Sequence, residues 1–220
     1  MHIAVVLYDR MTALDAVGPL EVLRFLPDAD LELVAETAGP VRTDSPLQVI
    51  ATTSYDKCPQ PDVVVVPGGP GTAAALGSPL VPWLQRVHAA TTWTTSVCSG
   101  SLLLAHAGLL AGAPAASHFA VLDLLPGLGA ARSDERVVVD EEHHVMTAAG
   151  VSSGIDMALV LAERLSDRTT AEAIQLVIEY DPQPPRDAGA LSKVGADVVR
   201  RAVELGRPHG AIPDFWPPPA

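Results

Sequence analysis

The run Val63–Val66 constrains the fold of this chain more than any other stretch. Four valines in succession follow Asp62 and lead into Pro67 and two glycines. A strand with one wet face alternates apolar and polar residues, whereas a strand without alternation is covered on both faces. The run therefore predicts a strand within a mostly parallel sheet that has helices packed on both sides.

Further apolar runs alternate with helical patterns along the chain. Pro19 is expected near the first turn of a helix in the latter part of residues 11–26, with Asp15 at or just before its N-terminus. Strands are predicted over 2–8, 30–36, 62–71 (running into a turn) and 92–97, with a shorter pairing in 47–55 and a hairpin of 136–139 and 143–147. Helices are predicted over 79–89, 99–107, 154–165, 170–180 and 194–206. This order predicts an α/β fold.

Length and charge bound the class of protein. The 220 residues suit one α/β domain, expected over 1–190, followed by a C-terminal helix and a Pro-rich tail over 191–220. Lys and Arg number 14 against 26 Asp and Glu, and the net charge of −12 argues against nucleic acid and anionic membranes as partners. The N-terminus lacks a signal-peptide pattern, and no apolar run is long enough to span a bilayer. Two cysteines without a framework spacing indicate a reducing, cytoplasmic setting.

Cys98 stands where the strand ending at Val97 turns at once into a helix. The small residues Ser99 and Gly100 allow a strained turn of the nucleophile-elbow type. A helix N-terminus beside the sulfur favours the thiolate, and sites in parallel sheets form beyond the carboxyl ends of the strands. Cys98 is therefore a candidate nucleophile, with an inert core cysteine as the alternative, whereas Cys58 is interpreted as a loop cysteine.

Gly68 and Gly69 follow another strand end and allow a turn with exposed backbone N–H groups. Together with the N–H of Ser99, these groups are candidates for an oxyanion hole. A glycine pair on its own is more often a tight turn. Because no Gly-Lys-Ser/Thr follows, the stretch is not a phosphate-binding P-loop.

Asp15 is the first candidate for the proton partner of Cys98, since it lies in the otherwise uncharged stretch 12–19. The alternative is a helix N-cap, worth about 1 kcal/mol. Beside a thiolate in an apolar pocket, a carboxyl has a raised pKa and the proton belongs to the pair.

His118 is a second candidate, either as pocket lining or as a base for the cysteine. His106 is expected to be packed on its helix. The segment Glu141–His144 lacks the spacing of a zinc site and is interpreted as a solvated turn, so no metal site is predicted.

Several segments together resemble the ThiJ/PfpI superfamily, also called class I glutamine amidotransferase-like. They are "VVVVPGGPG", "TSVCSGSLLLAHAGLLAG", "ASHF" and "TAAGVSSGIDMALVLAERL". Within it, "LDAVGPLEVL" and "IQLVIEYDPQPPRDAG" are similar to the isonitrile hydratase branch, and the likeness runs over residues 3–189. The resemblance implies a flavodoxin-like three-layer sandwich, a homodimer, a small-molecule substrate and no cofactor.

The resemblance also implies Cys98 as nucleophile, Asp15 as its acidic partner and Ser99 as a hydroxyl neighbour. The hydratase pattern usually has Thr after the cysteine, so Ser99 keeps the hydroxyl and loses a methyl group. The peptidase branch has His at that place and the glutaminase branch a late His-x-Glu pair, neither of which is seen here. The segments also resemble the ligand-binding half of AraC-type regulators, but the residues after Gly189 are too few and not basic enough for DNA-binding helices.

The expected reaction adds water to an isonitrile and yields an N-substituted formamide. It would pass through a covalent Cys98 thioimidate, with Asp15 as general acid and then general base. Backbone N–H groups of Gly69 and Ser99 would stabilise anionic character. The alternatives are a redox-sensing or stress-response protein with an oxidisable Cys98, a non-catalytic binding module, and hydrolase or glyoxalase-type chemistry on a carbonyl substrate.

Overall fold

Strands make up the centre of the molecule, of which the computed structural model describes residues 1–216. In chain order they are β1 (His2–Val6), β2 (Asp30–Ala35), β3 (Gly39–Arg42), β4 (Gln48–Ala51), β5 (Thr53–Ser54), β6 (Val63–Val66), β7 (Trp93–Val97), β8 (Pro114–Ala115), β9 (Ala131–Arg132), β10 (Val137–Asp140) and β11 (Val145–Ala148). The main sheet has the order β10-β11-β7-β6-β1-β2-β5. All its neighbours are parallel except the predicted hairpin β10–β11.

Helices cover both faces of the sheet. They are α1 (Ala13–Leu23), α2 (Thr72–Ala75), α3 (Leu80–His88), α4 (Gly100–His106), α5 (Ser153–Leu165), α6 (Arg168–Val177) and α7 (Ala196–Gly206), with short 3-10 turns at Leu122–Leu124, Pro126–Leu128, Leu191–Lys193 and Arg207–His209. Helices α1, α5 and α6 pack together as one layer, and α2, α3 and α4 as the other. The predicted mostly parallel three-layer sandwich is confirmed, and Val63–Val66 is fully buried at its centre.

The chain order places a crevice beside β1. The chain runs from β1 outward to β2 and then returns to β6 on the other side of β1. This reversal is the topological switch point at which open α/β sheets bind ligands, beyond the carboxyl ends of the strands. The segments that follow β1, β6 and β7 meet at this edge.

The expected position of Pro19 is wrong. Helix α1 begins at Ala13, so Pro19 lies in its interior and lacks the N–H of a helical hydrogen bond, at an intrinsic cost of about 3 kcal/mol. Helices α1 and α5 cross closely beside this proline. A Cβ on Gly154 would lie 3.3 Å from Pro19 Cγ, and one on Gly18 would lie 3.1 Å from Ile155 Cγ1.

The C-terminal part divides into an exposed arm and a packed end. Residues 181–192 are exposed, whereas α7 and Ile212 bury a small second cluster with Ala120 and Val203. The predicted division at residue 190 stays a prediction, and the last four residues of the predicted tail, 217–220, lie outside the described part. Within residues 1–216, no helix is long and apolar enough to cross a membrane.

Candidate active site

Cys98 occupies a strained corner between β7 and α4. Its φ is +60°, in the left-handed region that a non-glycine residue seldom adopts. Its N–H donates to Ala148 O (3.1 Å) and Ala149 O (2.9 Å), and its carbonyl accepts from the hydroxyls of Ser101 (3.3 Å) and Ser117 (3.0 Å). These bonds hold the backbone in the conformation of a nucleophile elbow.

Two glycines allow the elbow to lie against the neighbouring strand end. A Cβ on Gly68 would lie 2.4 Å from Ser99 N and 2.9 Å from Cys98 Cβ. A Cβ on Gly100 would lie 2.3 Å from Val66 O. Backbone meets backbone at both places, so any side chain there would push the elbow away from β6.

Asp15 lies in the first turn of α1 and is fully buried. Its Oδ2 accepts from the N–H of Gly68 at 3.0 Å, and its carboxyl lies close enough to the Cys98 thiol for each group to shift the pKa of the other. Among the described residues, Oδ1 has no N–H or O–H donor. Thr12, not Asp15, is the N-cap residue of α1, so the N-cap alternative for Asp15 is wrong.

The pKa values of this pair follow from burial. Burial raises the pKa of the Asp15 carboxyl to about 7. Burial and then the charge of Asp15 raise the pKa of the Cys98 thiol well above its usual value, while the N–H groups of Ser99 and Val151 lower it. Burial therefore outweighs the effect expected from a helix end, and above about pH 7 the pair holds a single shared proton.

Ser99 belongs to a chain of hydroxyl groups behind the thiol. Its Oγ accepts from the N–H of Gly69 at 2.9 Å and lies 2.8 Å from Thr72 Oγ1, which lies 3.0 Å from the Tyr8 hydroxyl. Because Tyr8 donates to Pro67 O at 2.9 Å, Thr72 donates to Tyr8 and Ser99 donates to Thr72. The Ser99 proton thus points away from the cysteine.

The amide groups of the glycine turn are already engaged. The Gly68 N–H serves Asp15 and the Gly69 N–H serves Ser99. The N–H groups that act on the sulfur are those of Ser99 and Val151. Ser99 is a candidate from the sequence and Val151 is not, although Val151 lies in the loop after β11 and within the family-like segment "TAAGVSSGIDMALVLAERL".

His118 lines the same pocket as Cys98. Burial lowers its pKa to about 4, so the ring is neutral. Its Nδ1 accepts from the N–H of Ala120 at 3.3 Å, which places the ring proton on Nε2. The ring packs on Gly150, where a Cβ would lie 2.7 Å from Cδ2. The ring therefore offers one donor within an apolar wall.

The pocket in front of Cys98 has a volume of about 210 Å³ and is mostly apolar. Side chains from the domain and from the C-terminal end share the lining, and the apolar ones include Leu76, Leu102, Val121, Leu124, Val151, Pro213 and Phe215. A larger cavity of about 490 Å³ lies beyond Tyr8 and Gly71, and neither cysteine lines it. The small pocket is the one that Cys98 lines.

One group of metal-ligand types occurs among the described residues, formed by His2, Glu32 and Cys58. It lies at the amino end of the strands, away from Cys98. His2 Nε2 contacts Glu32 Oε2 at 3.0 Å, but His2 Nδ1 is buried with no partner in the described part. A ligating histidine normally donates its second N–H, so the group does not fit a metal well.

The other histidines that the sequence brings into question lie at the surface. His106 is the last residue of α4 and is exposed, so the expectation of a packed residue is wrong. The segment Glu141–His144 is an exposed turn, as predicted.

Comparison with known proteins agrees with this geometry. A family model described as the DJ-1/PfpI family matches residues 1–164. The chain belongs to the DJ-1/PfpI family. It is 39% identical to the isonitrile hydratase of Pseudomonas putida over 94% of this chain and 91% of that protein. A ThiJ/PfpI family protein from Pseudomonas syringae superposes with a TM-score of 0.89 and 38% identity, over 95% of this chain and 87% of that chain.

The predicted superfamily and flavodoxin-like fold are therefore confirmed, and the likeness to isonitrile hydratase is confirmed as sequence similarity. The HTH-type transcriptional regulator CdhR of Pseudomonas aeruginosa is 28% identical over 80% of this chain, but this covers only 51% of the regulator. The likeness to regulators thus concerns half of their length.

Proposed function

We propose that this DJ-1/PfpI family protein is an isonitrile hydratase-like enzyme, which adds water to R–N≡C and releases R–NH–CHO. The observation that carries the proposal is the buried pair of Cys98 and Asp15, which shift each other's pKa, with Cys98 lining a small apolar pocket. An isonitrile is uncharged and its terminal carbon accepts both a proton and a nucleophile. A thiol and a carboxyl that share one proton supply both.

In the first step, Cys98 Sγ bonds to the terminal carbon and the same carbon takes the shared proton from Asp15. The product is the thioimidate R–N=CH–S–Cys98, and Asp15 is left as the carboxylate. The N–H groups of Ser99 and Val151 support this step because they stabilise negative charge on the sulfur. The Gly68 N–H holds Asp15 in position.

In the second step, water adds to the thioimidate carbon while the Asp15 carboxylate takes a proton from it. The second water proton passes from the hydroxyl of the adduct to the nitrogen, the C–S bond breaks, and the formamide leaves. The proton count returns to the starting state, with one proton shared by Cys98 and Asp15. The N–H of Gly69 donates to Ser99 Oγ, so in this scheme Gly69 positions the Ser99 side chain and does not donate to an oxyanion. His118 supplies an Nε2–H to the pocket wall.

The test is formamide production from a simple alkyl isonitrile by the wild-type protein and by Cys98→Ala. Cys58→Ala is the matched control, since Cys58 lies outside the pocket. Turnover by wild type and Cys58→Ala alone supports the proposal. Equal turnover by Cys98→Ala, or none by any of the three proteins, overturns it.

The expected homodimer stays a prediction, and light scattering on the native protein will test it. The cytoplasmic setting also stays a prediction. Redox sensing through Cys98 stays the alternative function, because its 6% exposure and raised thiol pKa act on oxidation and on nucleophilic attack alike.

A further inference from the structure

The C-terminal strap, defined here as residues 207–216, forms one wall of the Cys98 pocket. Gly210, Ala211, Pro213 and Phe215 line the pocket from this segment. The strap lies outside residues 1–164, which the family model matches. The catalytic pair and this wall therefore come from separate parts of the chain.

Several contacts fix the position of the strap. Ile212 is buried against Ala120 and Val203, and a Cβ on Gly206 would lie 2.5 Å from Ile212 Cγ1. The Arg207 guanidinium donates to Trp216 O at 2.7 Å and closes the strap on itself. These contacts give the strap a defined position over the pocket.

An aromatic stack joins the strap to the catalytic domain. The ring of Trp216 meets Phe119 edge-on with centroids 5.4 Å apart, and Phe119 packs on His118 at 4.4 Å. The strap thereby supports the side of the pocket that carries the His118 ring. Aromatic contacts of this kind contribute about 1 kcal/mol each beyond the area they bury.

The pocket face of the strap is uncharged. Pro213 and Phe215 are apolar, and the one acidic side chain of the strap, Asp214, is fully exposed to solvent. Phe215 is 62% exposed although it lines the pocket, which places it at the mouth. A substrate that reacts at Cys98 thus has its substituent beside the strap.

We propose that the C-terminal strap selects the substrate by the size of its apolar substituent, and that Phe215 is the residue that limits this size. The substrate class is then a reactive head group on a compact, uncharged hydrocarbon substituent. The head group rests on the function proposed above, whereas the limit on the substituent does not.

The first test compares kcat/KM for methyl, cyclohexyl and naphthyl isonitriles. Phe215→Ala should raise the naphthyl-to-methyl ratio by about tenfold, the usual range for a hydrophobic pocket, and Phe215→Trp should lower it. Leu205→Ala is the matched control because Leu205 is 57% exposed on α7 and lies outside the pocket. Its ratio should equal that of wild type.

The second test needs no isonitrile chemistry. Cys98 Sγ displaces iodide from iodoacetamide or from bulky N-naphthyl iodoacetamide, and mass spectrometry measures both rates in a Cys58→Ser background. Phe215→Ala should speed the bulky reagent relative to the small one by about tenfold, and Leu205→Ala should leave the ratio unchanged.

The two tests separate the two proposals. A shifted alkylation ratio without isonitrile turnover supports the proposal that the strap limits substituent size and overturns the hydratase function. Isonitrile turnover with unshifted ratios in both Phe215 variants retains the hydratase function and overturns the strap proposal.

Discussion

The two cysteines of the chain each lie beside a carboxyl group, yet they occupy opposite edges of the sheet. Cys98 pairs with Asp15 beyond the carboxyl ends of the strands, and Cys58 lies near Glu32 at the amino ends. Burial raises the pKa of both thiols, in the case of Cys58 to about 11. A neighbouring carboxyl and a raised thiol pKa therefore do not distinguish the two cysteines.

The backbone around the two sulfurs makes the difference. Cys98 has a φ of +60° and receives N–H groups from Ser99 and Val151, which act on the sulfur. The Cys58 thiol instead donates to Pro59 O at 3.3 Å in an ordinary loop. Directed N–H groups, an open pocket and an acid with a pKa near 7 occur together only at Cys98, among the described residues.

The largest expected effect is the loss of catalysis on removal of the Cys98 thiol. Cys98→Ala should lower kcat by about 10³-fold or more, since the covalent route is lost. Cys58→Ala should retain the wild-type rate. Steady-state formamide production measures both rates. A rate loss in Cys58→Ala alone would contradict the assignment of the nucleophile to Cys98.

The acid partners give the next contrast. Asp15→Asn should lower kcat/KM by about 10²-fold or more, because the shared proton is lost, while Glu32→Gln should leave kcat/KM unchanged. A wild-type rate in Asp15→Asn would remove Asp15 from the mechanism.

Asp15→Asn should also alter stability with pH. The folded pKa of about 7 lies above the ordinary value of 3.8, so the unfolded chain releases this proton first as the pH rises. Below about pH 4 the carboxyl is protonated in both the folded and the unfolded state, so its ionisation does not affect stability. Between about pH 4 and about pH 7 the free energy of unfolding declines, by at most about 4 kcal/mol. Urea unfolding at about pH 5 and about pH 8 should show this decline in wild type and a smaller one in Asp15→Asn.

The pH dependence of alkylation sharpens the comparison further. Alkylation of Cys98 should accelerate as the pH rises through about 7, where the pair loses one of its two protons. Alkylation of Cys58 should accelerate only towards about pH 11. Site-resolved mass spectrometry follows both in one sample, and the step near pH 7 should vanish in Asp15→Asn.

The smallest effect is expected at Ser99, whose hydroxyl chain has no counterpart beside Cys58. Ser99→Ala leaves the Gly69 N–H without an acceptor and removes the hydroxyl that donates to Thr72, which costs about 1–3 kcal/mol of folding stability. Ser99→Thr keeps the hydroxyl and should retain most of this stability. Denaturant midpoints of the two variants will show whether the hydroxyl group or only the volume of the side chain at position 99 stabilises the fold.

Much of the architecture followed from local patterns. The unbroken valines of Val63–Val66 require cover on both faces, and strands that alternate with helices require parallel neighbours. Parallel strands place their carboxyl ends at one edge, so Cys98 and Asp15 were expected together before any contact was known. The predicted helix bounds differ most from the structure in α1, whose interior contains Pro19 although proline disfavours helix interiors.

The sequence by itself determined the fold class and the family, because these depend on local periodicity and on short motifs, and it named Cys98 and Asp15 as the candidate pair. Only the tertiary structure decided which N–H groups face the sulfur, in which direction the Ser99 proton points, and that Phe215 stands at the pocket mouth. The physical reason is that hydrogen bonds and pocket walls depend on distances and angles between distant segments. The local sequence at Val151 and in the strap does not specify those distances.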